Sequence, residues 1–197
     1  MFTGIIQELG TVARVERAKG LARLSLHAPQ TASRVRRLDS LAVNGVCLSV
    51  VSVRQGMIVC EVISETQQLT TLGRLRAHDR VHLEPSLTLL DRLNGHMVFG
   101  HVDGVGTVVK RRQLAGELVL EIRTPPHIRH LIVPKGPITV DGVSLTVGRT
   151  VTRSTFTVHL IPETLRQTAL ACRAVGHRVN LEADYIAKLI WQFLRTC

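Results

Sequence analysis

Val43-Asn44-Gly45-Val46-Cys47-Leu48-Ser49-Val50 is written a second time in this chain, as Val140-Asp141-Gly142-Val143-Ser144-Leu145-Thr146-Val147. Five of the eight positions are identical, and the Asn/Asp and Ser/Thr exchanges keep the side-chain chemistry. The remaining position sets a thiol, Cys47, against a hydroxyl, Ser144. Three more anchors repeat in the same order. Gly10-Thr11-Val12 returns as Gly106-Thr107-Val108, Ile63-Ser64-Glu65-Thr66 as Ile161-Pro162-Glu163-Thr164, and Val81-His82-Leu83-Glu84 as Val179-Asn180-Leu181-Glu182. Their spacing drifts only from 96 to 98 residues, so the chain is a tandem duplication with units at about residues 1–86 and 97–184.

A length of 197 residues suits two small domains, and 45% hydrophobic residues suffice for a packed core. Aromatic residues are scarce, so Val, Ile and Leu must fill that core, and such residues favour strands. Within the first unit, β-prone runs cover Thr11 to Val15, Leu21 to His27, Leu41 to Val53, Met57 to Ile63 and Val81 to Leu83, broken by turn signals at Lys19-Gly20 and Gln55-Gly56. The second unit repeats them over Gly106 to Lys110, Leu118 to Arg123, Ile138 to Val151 and Thr155 to Leu160. So many short strands in so few residues predict a mainly β fold: two tandem six-stranded Greek-key β-barrels, whose closure hides the sheet edges.

Short helices are expected after Pro29, over Gln30–Arg36, and after Pro125-Pro126, over His127–Ile132. Another pair should start at Ser64-Glu65-Thr66, capped by Ser64 or Thr66, and at Pro162-Glu163-Thr164. The last stretch belongs to neither copy. Asp184 is placed to cap a C-terminal α-helix over Tyr185 to Thr196, with Ile186, Leu189, Ile190, Phe193 and Leu194 on one face. Such a stripe needs a partner, either the barrels of its own chain or another copy. The expected domains are therefore 1–96, a first barrel with linker; 97–184, a second barrel; and 185–197, the terminal helix.

The formal charge of +10 is spread along the chain, with knots only at Arg34-Val35-Arg36-Arg37 and Lys110-Arg111-Arg112. With no basic strand set carrying stacking aromatics, this reads as a basic surface and not as a nucleic-acid site. Cys47, Cys60, Cys172 and Cys197 show neither C-x-x-C nor metal-ligand spacing, and no secretory signal precedes them. Reduced thiols in a cytoplasmic protein, with no metal, are expected. No apolar run reaches the roughly 20 residues that span a bilayer, so no membrane partner is expected.

Two similar units with different reactive groups suggest two sites for one kind of molecule, used differently. Cys47 faces Ser144, Ser64 faces Pro162, and Leu38 faces Lys135. Taken alone, a cysteine on a Val-rich strand reads as a small buried hydrophobe. His101, among small neighbours, is equally consistent with a structural place or a site. His96, nearer the linker, reads as structural or secondary.

The chain also resembles riboflavin synthases. The resemblance runs through Met1-Phe2-Thr3-Gly4-Ile5-Ile6, Val43 to Leu48, Asn94-Gly95-His96, Gly100-His101-Val102-Asp103-Gly104, Val140 to Val147, and His159-Leu160-Ile161-Pro162-Glu163-Thr164. It covers essentially the whole chain. It implies lumazine-binding barrels and a terminal helix that assembles a homotrimer, the first barrel of one subunit facing the second barrel of its neighbour. The implied reaction is the dismutation of two 6,7-dimethyl-8-ribityllumazine molecules, by transfer of a four-carbon unit, to riboflavin and 5-amino-6-ribitylamino-2,4-pyrimidinedione. No metal or redox cofactor is implied, and lumazine synthase is the protein partner the resemblance suggests.

By the same resemblance Cys47 is the active-site thiol, as nucleophile or proton carrier, and His101 a proton-transfer group. Ser144 and Thr146 form the hydroxyl pair of the second barrel, with Cys47 and Ser49 their counterparts. Asp184 is an acidic site residue that also caps the helix, and Lys135 reaches the neighbouring subunit's site. Catalysis thus falls to Cys47, His101, Ser144 and Asp184. Substrate would be lined by Gly4, Ile5, Ile6, Cys47, Leu48, Ser49, Glu61, Val62, Ile63, Ser64, Glu65, Thr66, Gly100, His101, Val102, Lys135, Ser144, Leu145, Thr146, His159, Leu160, Ile161, Pro162, Glu163 and Thr164. Three positions depart from the family pattern and bear on pocket shape: Ser49 for the usual Thr, Phe99 for a small Ser, Asn94 for Gly. The alternative is a protein of the same fold that holds a lumazine or flavin without turning it over. A flavin-dependent hydride-transfer barrel would need a nicotinamide fingerprint, which this sequence lacks.

Overall fold

A computed structural model describes residues 1–196; Cys197, the end of the expected terminal helix, lies outside the described residues. The first unit holds strands β1 (Glu8–Ala18), β2 (Leu21–His27), β3 (Ser40–Val43), β4 (Val46–Arg54), β5 (Met57–Ile63) and β6 (Arg80–Pro85). Helix α1 (Pro29–Ala32) follows β2, and α2 (Ser64–Leu69) follows β5. The second unit holds β7 (Gly104–Leu114), β8 (Glu117–Arg123), β9 (Pro137–Val140), β10 (Val143–Val151), β11 (Thr155–Leu160) and β12 (Arg178–Ala183), with α3 (Pro162–Gln167) after β11. Each set closes into a barrel. The order β1-β2-β5-β4-β3-β6 in the first is matched, strand for strand, by β7-β8-β11-β10-β9-β12 in the second. Helix α4 (Tyr185–Thr196) ends the chain, with the Asp184 carboxylate accepting from the Ile186 amide at 3.2 Å as expected of a cap.

Alternation of apolar side chains sends one face of every strand inward. Val12, Leu24, Leu26, Leu41, Val50 and Ile58 fill the first core, and Val108, Leu120, Ile122, Val140, Phe156 and Val158 the second. Cys60 is one of these core groups; burial pushes its thiol pKa up to about 12, so it is an inert filler.

Several local expectations are corrected. The runs Leu41 to Val53 and Ile138 to Val151 are each two strands, not one. Asn44-Gly45 and Asp141-Gly142 take φ values of +46° and +76°, and +49° and +81°, the two-residue turn that matches strand twist. Neither Ser64 nor Thr66 caps α2: the cap position is Ile63, with no side-chain hydrogen bond. The expected helix over Gln30–Arg36 shrinks to α1, and the one over His127–Ile132 is a 3-10 segment, Pro126–Leu131.

Those two glycine turns abut each other where the barrels meet. A Cβ on Gly45 would lie 2.5 Å from the Gly142 nitrogen, and one on Gly142 would lie 2.6 Å from the Gly45 nitrogen. Around them, repeat partners exchange hydrogen bonds across the interface. Asn180 donates its side-chain amide to the Asn44 carbonyl at 2.8 Å and accepts from the Thr71 amide at 2.8 Å. His82, its counterpart, touches the Asp141 carbonyl through Nδ1 at 2.8 Å and accepts from the Ala169 amide through Nε2 at 2.8 Å. Since Ala169 can only donate, Nε2 is unprotonated and Nδ1 carries the single ring proton. The buried Asp141 accepts from the Asn180 amide and from the Arg173 guanidinium at 2.8 and 2.7 Å, so the charge left in this interface is paired.

His82 must therefore stay neutral for the barrels to dock. Burial lowers its pKa, followed by opposing raises from Asp141 and further lowering from Arg173 and Arg80. A folded pKa below the unfolded value of about 6.5 means this contribution is whole above that pH and lost as pH falls below it, where the unfolded chain takes up the proton first. The thermal midpoint of the native protein should thus fall from about pH 7.5 to about pH 5.5 by more than that of His82→Asn, which carries the counterpart's residue. Equal falls in the two proteins would show that His82 does not titrate with unfolding.

Candidate functional site

The segments ahead of each barrel cross over. Phe2 and Val98, equivalent in the repeat, bridge each other (amide to carbonyl 2.7 and 3.1 Å), and each lead-in then lies on the other unit's repeated strand. Ser144 donates its amide to the Gly4 carbonyl at 2.7 Å, and Cys47 donates to Gly100 at 2.9 Å. The approach is too close for side chains. A Cβ on Gly4 would sit 2.6 Å from the Ser144 Cβ, and one on Gly100 would sit 2.6 Å from the Cys47 Cβ, with φ of +78° and +74°. Glycine is required at both.

Buried carboxylates hold these crossings. Glu84 accepts from the Thr3 amide (2.6 Å), the Thr3 hydroxyl (2.7 Å) and the Gly4 amide (2.9 Å). Glu182 accepts from the Phe99 and Gly100 amides at 2.9 and 3.0 Å. Burial raises both carboxyl pKa values, and the same hydrogen bonds pull them back. Both glutamates belong to a repeated anchor, but neither stood out in the sequence as a support for the site.

Two composite surfaces result. On the second barrel, Gly4, Ile5 and Ile6 join Ser144, Ile161, Glu163 and Thr164 around a hollow of about 190 Å³. A neighbouring concavity of about 480 Å³ is lined by Lys135, Thr146 and His159, with Arg112 and Arg149. On the first barrel, Gly100 and Val102 pack beside Cys47 and the core, and His101 stands exposed next to them. Residues 4–6 are thus brought to the second repeat's strand and 100–102 to the first's, a pairing that order along the chain does not suggest.

Not every expected lining residue offers its side chain. Leu48, Val62, Leu145 and Leu160 point into the barrel cores, leaving only backbone groups for a ligand. Strand period explains it: the outward neighbours are Cys47, Ser49, Glu61, Ile63, Ser144, Thr146, His159 and Ile161, none of which is fully buried. Glu61 is held by Arg23 on the adjacent strand at 2.8 Å, and His159 by Glu117 at 2.9 Å. Ser64, Glu65 and Pro162 are exposed at the starts of α2 and α3, and Thr66 is half-buried.

The surfaces differ in more than Cys47 and Ser144. Repeat geometry sets His101 opposite Ile5 and Lys135 opposite Leu38. Lys135 and Leu38 occupy equivalent strained turns in the two units, with φ of +67° and +76° and amides bonded to Val147 and Val50. His96, read from sequence as structural or secondary, is bonded through Nδ1 to the Ser144 hydroxyl at 2.8 Å. Burial lowers its pKa while the charge of the Asp184 carboxylate raises it, so the imidazole that is bonded to the Ser144 hydroxyl also feels a carboxylate. Asn94-Gly95-His96 was the available signal, since a Cβ on Gly95 would meet the Thr3 carbonyl at 2.0 Å and the Ser144 hydroxyl at 3.1 Å. Phe99, the departure noted beside His101, stacks on Tyr185 of α4 at 4.6 Å and lies 6.2 Å from the His101 ring. The start of α4 is thereby tied to the crossing segment, as it is by the Lys188–Asp103 ion pair at 2.7 Å.

Comparison with known proteins fits this geometry. A family model described as the lumazine binding domain matches twice, over residues 3–86 and 99–184. The riboflavin synthase of Mycobacterium tuberculosis (strain ATCC 25618 / H37Rv) is 43% identical over 199 residues, covering 100% of this chain and 99% of its own. That of Actinobacillus pleuropneumoniae is 39% identical over 194 residues, covering 98% of this chain and 90% of its own. Among solved structures, LumP complexed with riboflavin superposes with a TM-score of 0.87 at 22% identity, over 93% of this chain and 100% of that one. LumP complexed with 6,7-dimethyl-8-(1'-D-ribityl) lumazine gives a TM-score of 0.85 at the same identity.

Proposed function

The chain belongs to the riboflavin synthase family of transferases, and from that premise we propose that it dismutates two molecules of 6,7-dimethyl-8-ribityllumazine. One molecule gives up a four-carbon unit and becomes 5-amino-6-ribitylamino-2,4-pyrimidinedione; the other accepts the unit and becomes riboflavin. Both products are assembled from the two substrates alone, so no outside oxidant or reductant enters the balance. The observation that carries this reading is the pair of like surfaces bearing unlike reactive groups, thiol and imidazole on one, hydroxyl, imidazole and ammonium on the other.

The chemistry needs a proton removed from the 7-methyl group of one lumazine and a nucleophile received at the ring carbon beside N8 of its partner. His101 and the Ser144–His96 pair are the proton-handling groups, and each such group contributes about 10²–10⁴-fold. Cys47 faces one lumazine as thiol, and Thr146, Ser49 and local backbone groups hold the pyrimidinedione edges. Asp184 supports His96 electrostatically while capping α4. Holding two rings face to face contributes more, up to about 7–11 kcal/mol.

In this reading the facing partners come from different chains. The α4 stripe supports it: Ile186, Leu189, Ile190, Phe193 and Leu194 are each about half exposed or more, although Trp191 on another face stacks on His130 at 4.0 Å. A contiguous apolar patch of this kind is an association surface. The trimeric state comes from the family resemblance, as does the neighbour-facing arrangement of first and second barrels. A cytoplasmic protein with lumazine synthase as a partner completes the proposal; among the described residues no helix is long and apolar enough to cross a membrane.

Incubation of the purified protein with 6,7-dimethyl-8-ribityllumazine as sole substrate tests the reaction. Riboflavin should form at one mole per two moles of lumazine consumed, with chelator making no difference. Tight binding without turnover would make the protein a carrier instead.

A further inference from the structure

A second concavity lies away from the surfaces described above. It is a cleft of about 680 Å³ between the barrels, and neither Cys47, His101, Ser144 nor Lys135 lines it. Arg74 and Arg80 come to it from the first barrel, and Arg166, Arg173 and Arg178 from the second. Two of these charges are already spent: Arg173 is bound to buried Asp141 and Arg166 to Glu163. Arg74, Arg80 and Arg178 take part in none of the ion pairs among the described residues. Asp79 is the single carboxylate in the lining, and one of its oxygens is occupied by the Arg76 amide at 2.8 Å.

The arrangement follows the repeat. Arg80 opens β6 and pairs in register with Thr11, while Arg178 opens β12 and pairs with Thr107. The approximate twofold relating the barrels therefore brings one arginine outside any ion pair from each barrel into the lining of one cleft. His177 adds a donor: its Nδ1 accepts from the Ala174 amide at 2.6 Å, which leaves the proton on Nε2. Leu9 and Leu165 supply half-buried apolar wall. Guanidinium groups bind phosphate oxygens in bidentate fashion, and two of them match two linked phosphates. A cavity of this size holds more than a bare diphosphate. Concavity and the lack of Phe, Tyr or Trp in the lining argue against a tracking groove for single-stranded nucleic acid.

We propose that this cleft binds the diphosphate group of a nucleotide-sized organic anion, with Arg80 and Arg178 as its principal partners. The proposal is independent of the reaction assigned above. Calorimetric titration of the whole protein with ADP, with adenosine as control, tests it. ADP should bind and adenosine should not, and the double variant Arg80→Ser/Arg178→Ser should bind ADP roughly a hundredfold more weakly. The Arg80→Lys/Arg178→Lys pair, which keeps the charges, should retain most of the affinity, and riboflavin formation should be unchanged in both. Equal ADP affinity in the serine variant, binding of adenosine as tight as ADP, or no ADP binding to the native protein would overturn the proposal. So would tighter binding of a single-stranded oligonucleotide than of ADP.

Discussion

Alanine in place of Gly100 should lower kcat/KM for riboflavin formation by about a hundredfold or more while leaving a folded protein. The added methyl would meet the Cys47 Cβ at 2.6 Å and its nitrogen at 2.8 Å, in a backbone conformation (φ +74°) that L-residues avoid. Something must move, and what moves is either the strand that carries Cys47 or the segment that carries His101. Strain and overpacking together cost about 2–3 kcal/mol, which a domain of ordinary stability survives. Displacement of the reacting groups by even about 1 Å accounts for the larger kinetic effect. Gly20 and Gly116 provide the control. They have φ of +85° and +82°, but a Cβ at either would meet nothing within 4 Å, so alanine there should cost only backbone strain and leave kcat/KM unchanged. If Gly100→Ala and Gly20→Ala had the same kinetics, the crossing segment would not be part of the site.

The second large effect belongs to α4. Glutamate at both Ile190 and Leu194 places two charges on its exposed stripe (56% and 65% accessible) without touching Tyr185, Lys188 or Trp191, which anchor the helix within its own chain. Burying each such apolar side chain at an interface is worth about 1.5–3 kcal/mol, and burying an unpaired carboxylate costs more than that. Light scattering should report a monomer, with turnover reduced about a thousandfold because facing lumazines no longer share one site. A fully active monomer would place both reacting molecules within one chain.

Much of this was readable in the residues, for physical reasons. Strand period and turn chemistry are local, so β2, β5 and β11 run from Leu21 to His27, Met57 to Ile63 and Thr155 to Leu160 as the sequence suggested. The helix after Asp184 likewise follows from its cap and stripe. The repeat carried the two-barrel architecture, because one sequence pattern folds one way twice. The split at Asn44-Gly45 and Asp141-Gly142 was also local and available, since those dipeptides favour a two-residue hairpin turn. What the sequence hid was crossing. Nothing near Gly4 says that it lies on Ser144, or near Gly100 that it lies on Cys47, because those contacts join residues of opposite repeats, far apart along the chain. For the same reason His96 read as structural or secondary, and Glu84 and Glu182 figured only as parts of a repeated anchor. Leu48, Val62, Leu145 and Leu160 entered the lining set by lying within motifs, although their parity sends them inward.

Mixing two disabled chains tests the central claim, that two unlike sites on different chains form one reacting pair. His101→Ala damages the first barrel's surface, and Ser144→Ala the second's. Each alone should turn over little lumazine. Co-refolded in equal amounts, they should recover about a quarter of native activity, the share of neighbouring pairs in which an intact first barrel meets an intact second barrel. Activity of the mixture no greater than the average of the two variants would contradict the account.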